Sequence, residues 1–454
     1  MRIIVIGAGK VGSSLADRLT AEAHDVTIID RNDDVINRRQ DSMDVMCIRG
    51  NGANAKTLVE ASVDRADIVI ATTASDETNM LSCLIAKRLG AKYTIARIRD
   101  PEYNESQLLL QNEMGIDVAT NPERATALEI SRLLRYPFAG SIESFARGQV
   151  EMVEFRAQKE DLFVGIPMKK LSSAVPNMPH VLYTMVERDG EVIIPGGDFA
   201  IQEGDKVYIS GGIVNITNYF RALGRNSLKI RSVMVLGGGK ITYYLARMII
   251  PIGIHMTVFE VNPEKARLLS EQFPRADIIL GDGTDKDLLE EQGLTQMDAY
   301  VSLSNRDEEN LMTGMYAFRS GVPKVIAKNT RTTYSDILNQ LGLDSIVSPQ
   351  SITCSTILRY VRGRTHSNGT EIERLYQLAD GKAEAIEFIA REGDSYIGIA
   401  LKDLHIRPGN LVAVILHQGK VIVPFGKDKI EKGDHVVIIS KESGIGDLNE
   451  VLYR

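Results

Sequence analysis

The sequence predicts an α/β chain made of two Rossmann-like, doubly wound parallel-sheet domains, each followed by a small α+β C-terminal lobe. Three observations predict it. A buried strand runs into a glycine-rich turn twice, at Gly7 and at Gly237; the chain matches itself at an offset of about 230 residues; and its texture changes after about Phe138 and again after about Gly363.

The strands come first. Short apolar runs of four to six residues, rich in Val and Ile, alternate with amphipathic stretches in each half. Strands covered by crossover helices on both faces read as continuous apolar runs. Six are expected in the first copy, around Ile4, Thr27, Val45, Ile68, Thr94 and Ile116. The repeat then carries the plan to the second copy. IIVIGAGKVG faces VMVLGGGKIT, DVTIID faces HMTVFE, MCIRGNGANAK faces IILGDGTDKD, and DIVIATTASDETNM faces DAYVSLSNRDEENL. The later segments also match, VEFRAQKEDLFVGIPMKKL with IEFIAREGDSYIGIALKDL, in stretches with more turn residues and little helical period. The expected division is 1–138, 139–225, 226–363 and 364–454, with the polar, basic stretch Arg221 to Ser232 as the linker between halves.

Composition excludes several classes. With 454 residues the chain exceeds what one core normally holds. The most apolar stretch, Met248 to Phe259, is interrupted by Pro251, Gly253 and His255, so no membrane span is expected, and the N-terminal apolar run is too short for a signal peptide. A cytoplasmic location is expected. A net charge of -7 with dispersed basic residues argues against nucleic acid. Cys47, Cys83 and Cys354 have neither zinc nor disulfide spacing and read as reduced core thiols, and the seven histidines show no metal-ligand spacing.

Gly7, Gly9 and Gly12 form a G-x-G-x-x-G between a buried strand and a helix, with Asp30 at the end of the next strand. Gly7 serves the turn, Gly9 the approach of a pyrophosphate and Gly12 the packing of helix on strand. The helix N-terminus offers N–H groups to phosphate, and Asp30 accepts from a ribose diol while repelling a 2'-phosphate. NADP is thereby disfavoured, whereas NAD and ATP share the adenosine ribose and stay open. The second copy keeps Gly237, Gly239 and Glu260 but has Thr242 for the third glycine, so helix and strand are expected further apart and the site altered or empty; Gly238 reads as added flexibility. Residues at carboxyl ends of later strands complete the expectation: Gly52, Thr73, Ala74, Asp76, Asn79, Arg97 and Arg99 in the first copy, Asp282 in the second. A guanidinium such as Arg97 suits phosphate oxygens.

The GAGKVG, ID, GNG, ATTASDETNM and IARIRD elements resemble those of the regulator of potassium conductance (RCK or KTN) family, in a tandem arrangement covering nearly the whole chain. The resemblance implies NAD(H) or ATP/ADP in each α/β lobe, a ring of about four chains, a homotetramer, and a seat beneath a membrane potassium channel or transporter at the inner face of the cell membrane. It places the first nucleotide on Gly7, Ala8, Gly9, Lys10 and Val11, with Asp30, Thr73, Ala74 and Arg97. Gly237, Gly238, Gly239, Lys240 and Ile241, with Glu260, Ser304, Asn305 and Lys328, align with them. The helices after Pro122 and Pro349, with Leu128, Leu133 and Leu134 in one and Ile357, Leu358 and Val361 in the other, are either the family's pairing surface or ordinary core helices.

A hydride-transfer enzyme needs a substrate domain and a positioned acid or base. The small lobes show no His beside a carboxylate in a glycine-rich turn, so a non-enzymatic sensor is expected; an NAD-dependent oxidoreductase and a regulator of a potassium antiporter are the alternatives. Asp198, Glu203, Asp205, Asp428, Glu431 and Asp434 are expected as solvated turn carboxylates rather than an effector site.

Overall fold

The computed structural model describes residues 1–42, 45–104, 113–175, 178–224, 229–330, 345–365, 372–442, 445 and 448–453. Its first sheet contains β1 (Arg2–Ile6), β2 (Asp25–Asp30), β3 (Met46–Arg49), β4 (Ile68–Ala71), β5 (Tyr93–Arg97) and β6 (Val118–Thr120) in the order β3-β2-β1-β4-β5-β6. All its pairings are parallel, with Ile4 opposite Thr27 on one side and Val69 on the other. Residues 3–6 and 68–71 are wholly buried, the two-faced burial that makes such strands apolar throughout. The last strand begins two residues after the expected Ile116, which instead fills the core beneath it.

Helix α1 (Lys10–Ala21) buries Gly12, Leu15, Ala16 and Leu19 on one face. Two further helices, α2 (Asp33–Ser42) and α3 (Ala55–Glu60), follow β2 and β3. Helix α4 (Asp76–Arg88) starts where the Ser75 hydroxyl accepts the Thr78 N–H, with Asp76 and Glu77 in its first turn and Lys87 and Arg88 in its last, the charge order that a helix dipole favours.

After β6 comes a crossover helix, Pro122–Arg135, capped by the Asn121 side-chain oxygen, which accepts the Arg124 N–H, and opened by proline. A small antiparallel sheet follows: β7 (Ala139–Phe145), β8 (Val150–Arg156), β9 (Leu182–Arg188), β10 (Glu191–Ile193) and β11 (Lys206–Gly212), ordered β10-β9-β11-β8-β7. The expected linker overlaps an element at each end. Arg221 and Ala222 end the helix Ile213–Ala222, Ser232 opens a strand, and residues 225–228 lie outside the described ones.

The second half repeats the plan: β12 (Ser232–Leu236), β13 (His255–Glu260), β14 (Asp277–Leu280), β15 (Ala299–Ser302), β16 (Lys324–Lys328) and β17 (Ile346–Val347), ordered β14-β13-β12-β15-β16-β17. After the crossover helix Pro349–Thr365 come β18 (Ile372–Leu378), β19 (Ala383–Ile389), β20 (Asn410–His417), β21 (Lys420–Ile422) and β22 (His435–Ser440), ordered β18-β19-β22-β20-β21.

The crossover helices are exchanged between the halves. Cys354, Ile357, Leu358 and Val361 of the second helix share a buried cluster with Val5, Leu15, Leu19 and Ile28 of the first sheet and α1. Ile130, Leu133 and Leu134 of the first helix share another with Val235, Tyr244, Leu245 and Ile249 of the second domain. Arg362 forks onto Glu22, fastening the second helix to the end of α1. Of the expected pairing residues Leu128 departs: it is 41% exposed, and Ile130 takes the buried position because it is three residues before Leu133 on the same face. The small sheets also pack on each other, with Phe145, Met152 and Tyr208 against Tyr376, Val414 and Val437.

Candidate functional site

Each Rossmann-like sheet ends in a glycine turn facing two strand-end loops. Gly7 and Gly237 have φ of 94° and 97°, a region glycine enters freely. A Cβ on Gly7 would stand 2.9 Å from the Thr73 nitrogen, and one on Gly237 3.1 Å from the Ser304 nitrogen, so each turn abuts the loop after the fourth strand of its sheet. Nothing lies within 4 Å of a Cβ built on Gly9 or Gly239, the open side of each turn. These glycines cap Lys10–Ala21 and Lys240–Ile249 with no side-chain hydrogen bond, leaving the first N–H groups of both helices for an anion.

The strand-end acids are anchored alike. Ala8 N–H donates to Asp30 Oδ2 at 2.6 Å and Asn32 N–H to Oδ1 at 2.9 Å; Gly238 and Asn262 N–H donate to the two Glu260 oxygens, each at 2.8 Å. A carboxylate oxygen has a second lone pair, so each acid can still accept a ribose hydroxyl. Gly238 corrects the expectation of mere flexibility. A Cβ there would fall 2.9 Å from Glu260 Oε2 and 2.6 Å from a Leu269 methyl, so glycine makes room for the longer acid where Ala8 suffices beside Asp30.

The third glycine tells a similar story. A Cβ on Gly12 would come within 1.8 Å of the Gly7 carbonyl oxygen, which also accepts from the Thr72 hydroxyl at 3.2 Å. In the second copy Leu303 replaces that threonine, and fully buried Thr242 donates its own hydroxyl to the Gly237 carbonyl. The expected loosening is thus met by a relocated hydrogen bond.

Several expected ligand contacts prove to be braces. Asn79, fully buried, accepts Thr73 N–H at 2.8 Å and Thr73 Oγ1–H at 2.7 Å, and donates to the carbonyls of Thr73 (3.2 Å) and Arg97 (2.8 Å). Its amide has nothing left for a ligand. Asp76 Oδ2 accepts the Arg99 and Asp100 N–H groups, each at 2.8 Å. The sequence comparison missed their counterparts Asn310 and Asp307, although carrying DETNM onto DEENL gives both: Asn310 accepts Ser304 N–H at 2.8 Å and donates to the Ser304 and Lys328 carbonyls at 3.1 Å. Gly52 and Asp282 are not equivalents. Gly52 matches Gly283 and is required by Ile6, 2.1 Å from its would-be Cβ, whereas Asp282 matches Asn51 and holds the Thr284 N–H and hydroxyl, whose bonds lower its pKa.

Arg97 ends β5 and donates to the Thr73 carbonyl, with its buried Nε lacking a partner. Burial, then neighbouring Arg99, lowers its pKa, so a phosphate there would relieve it. Lys328 occupies the same place in the second crevice, donating to the Leu303 carbonyl at 3.4 Å, and burial lowers its pKa too. Ala74 and Asn305 are exposed on the loops between, while Val11 and Ile241 turn toward buried clusters. Lys10 and Lys240 point away from their own crevices: Lys10 reaches Thr330 at 3.4 Å, and Lys240 pairs with Asp100 at 2.8 Å. Each glycine loop therefore touches the fifth-strand loop of the other domain.

In the small lobes, Asp205 and Asp434 are buried rather than solvated. Arg188 forks onto Asp205, and His417 Nδ1 lies 2.7 Å from Asp434. A His beside a carboxylate at a glycine turn thus exists, contrary to expectation, because β20 and β22 bring them together from 17 residues apart. It stands where Arg188–Asp205 stands in the other lobe, and Asp434 also secures the Glu431 N–H, a structural pair. Asp428 likewise caps Phe425 N–H, and Asp198 pairs with Lys169 on the surface. Among the described residues no group of three or more His, Cys, Asp or Glu could hold a metal, and no helix is long and apolar enough to cross a membrane. Cys83 and Cys354 are buried thiols, Cys83 pushed up to about 12 by burial.

Fold and crevices together define a tandem Rossmann-like protein in which a glycine turn, a strand-end acid and a fifth-strand cation face each other twice. Residues 3–122 and 233–349 match the TrkA-N domain and residues 385–453 the TrkA-C domain. Residues 139–225 lie outside these matches yet carry the same strand order as 372–440. The chain is 33% identical to the Trk system potassium uptake protein TrkA of Vibrio alginolyticus, over 96% of this chain and 95% of that one. It is 30% identical to TrkA homolog 2 of Methanosarcina mazei, over 99% and 100%. The chain belongs to the TrkA family. Among solved structures, the GsuK channel superposes with a TM-score of 0.65 at 16% identity, covering 97% of this chain and 76% of that one, and the GsuK channel bound to NAD with 0.63 over the same shares, likenesses of fold.

Proposed function

We propose that this chain is the nucleotide-sensing regulatory subunit of a Trk-type membrane potassium channel or transporter. On this reading NAD(H) or ATP/ADP occupies the crevices, four chains form a ring at the inner face of the cell membrane, and nucleotide exchange changes the shape of the ring and so gates potassium movement. The observation that carries it is the pair of like crevices joined through exchanged crossover helices. Asp30 and Glu260 keep lone pairs for a ribose, Gly9 and Gly239 face open space, and Arg97 keeps an unpartnered buried Nε. The polar groups there mostly brace loops, which suits a site that binds and releases rather than one that transfers hydride. The four-lobe division 1–138, 139–225, 226–363 and 364–454 belongs to the same proposal.

A ligand shifts an equilibrium only through differential affinity for its two states. Moving it from 1:99 to 99:1 takes about 5.5 kcal/mol, roughly 0.7 kcal/mol for each of about eight crevices in a four-chain ring. Potassium uptake by cells carrying Asp30→Ala, with nucleotide binding of the purified variant alongside, tests the proposal. Loss of binding with altered gating is expected; unchanged binding and unchanged gating together would overturn it.

A further inference from the structure

The two crevices of the repeat differ in the charges around them. At the carboxyl end of the fifth strand the first domain has Arg97 and Arg99, and the second has Lys328 and Thr330. After the strand-end acid, exposed Arg31 becomes Val261, which is 65% exposed; at the end of the third strand, Arg49, which pairs with Asp33 at 2.8 Å, becomes Leu280, 58% exposed, and Asp33 becomes Pro263. In the loop that follows, Asn51, Asn54 and Lys56 become Asp282, Asp285 and Asp287. Arg306, present only in the second domain, is neutralised at 2.6 Å by Glu309, which is also new there. Lys286 for Ala55, Arg331 for Asp100 and Pro263 for Asp33 run the other way, while Val261 for Arg31, Thr330 for Arg99 and the three aspartates run from cationic or neutral to neutral or acidic, leaving the second side the more acidic.

We propose that the crevices are sorted by ligand charge: the first takes a nucleoside di- or triphosphate, and the second takes the less anionic dinucleotide, NAD(H). This rests on the nucleotide reading given above. The adenosine half is common to both ligands, and Asp30 and Glu260 meet it with the same geometry, so the difference must arise at the phosphates and in the surrounding field. Arg97 lies against the loop that abuts Gly7, and its buried Nε has no partner within the protein; Arg99 follows two residues later. A guanidinium matches phosphate oxygens in a fork, which an ammonium and a threonine hydroxyl cannot reproduce. The three aspartates after β14, with only Lys286 among them to offset their charge, add negative field on the second side that surface salt screens over about 8 Å. Val261 and Leu280 offer an apolar wall in their place.

Calorimetric titration of the full chain with ATP and with NADH, each alone and each after saturation with the other, tests the sorting. Simultaneous binding is expected, with ATP affinity falling more steeply with salt. Arg97→Lys combined with Arg99→Thr should weaken ATP about tenfold or more, the loss of one charge-assisted bond, and leave NADH within about twofold. Leu280→Arg with Asp282→Asn, both on exposed positions, should open the second crevice to ATP. Competition of ATP and NADH for one crevice, or loss of ATP from a Lys328→Ala variant in place of the Arg97 variant, would overturn the sorting alone. Failure of both nucleotides to bind would overturn the nucleotide reading and the sorting with it.

Discussion

Asn79→Ala separates bracing from ligand contact. The native amide makes four hydrogen bonds, three to Thr73 and one to the Arg97 carbonyl, from a fully buried position. At a net 0.5–1.5 kcal/mol each, their removal should destabilise the loop by roughly 2–6 kcal/mol. Thr73 N–H, freed from Oδ1, should then exchange with solvent about a hundredfold faster, since each factor of ten corresponds to about 1.4 kcal/mol. Asn310→Ala provides an internal comparison. Its amide makes three bonds, lacking the hydroxyl partner because Ser304 turns its Oγ–H to the Arg306 carbonyl, so the loss at Ser304 N–H should be smaller by about 1 kcal/mol. Hydrogen exchange resolved to these two amides checks both values, and it does not depend on two-state unfolding of a multi-domain chain. Nucleotide binding should fall most in the crevice whose asparagine is changed. Protection of Thr73 within about threefold of native in Asn79→Ala would refute the bracing role.

Gly12→Ala places a methyl 1.8 Å from the Gly7 carbonyl oxygen, so calorimetric melting should show a destabilisation of about 1–3 kcal/mol together with weaker binding at the first crevice. Thr242→Val removes the hydroxyl that holds the Gly237 carbonyl; a loss of about 1 kcal/mol in denaturant unfolding is expected, with the second crevice affected more than the first. Burial, and then neighbouring Glu143, pushes the Glu129 carboxyl up to about 7, against an ordinary glutamate value of 4.5. The folded value is the higher one, so the stability linked to this group is complete below about 4.5 and is lost as pH rises to and through about 7. Glu129→Gln should flatten the stability profile across that window, measured by denaturant midpoints against pH.

The Rossmann-like sheets were legible because their strands are buried on both faces and their helices are punctuated by glycine, proline and side-chain caps, all local signals. Asp30 and Glu260 were legible for the same reason, being fixed by spacing from a turn. Asn79 was visible as a residue but misread in role: its partners, Thr73 and Arg97, belong to different strands, and only their convergence shows that its amide is fully used. His417 and Asp434 were missed as a pair because β20 and β22, not sequence neighbourhood, join them. The role of Gly238 depended on the reach of Glu260, a property of two positions jointly.

The exchange of crossover helices was the least legible feature, and it bears most on function. An amphipathic helix declares that it will bury a face, and its periodicity is the same whichever sheet receives it. Here the sheet nearest in sequence is refused. Val361 and Ile357 lie in the first domain's core, Leu133 and Leu134 in the second's. Each crossover helix is also followed in sequence by a small lobe, since Arg135 precedes β7 by four residues and Thr365 precedes β18 by seven. A shift of either Rossmann-like domain must therefore move the helix that enters the other half's small lobe. With Lys240 held by Asp100 and Lys10 by Thr330 across the same boundary, the two crevices cannot rearrange independently. On the proposed reading, two unequal ligands acting on one shared interface are then weighed against each other, as thermodynamic linkage between sites requires.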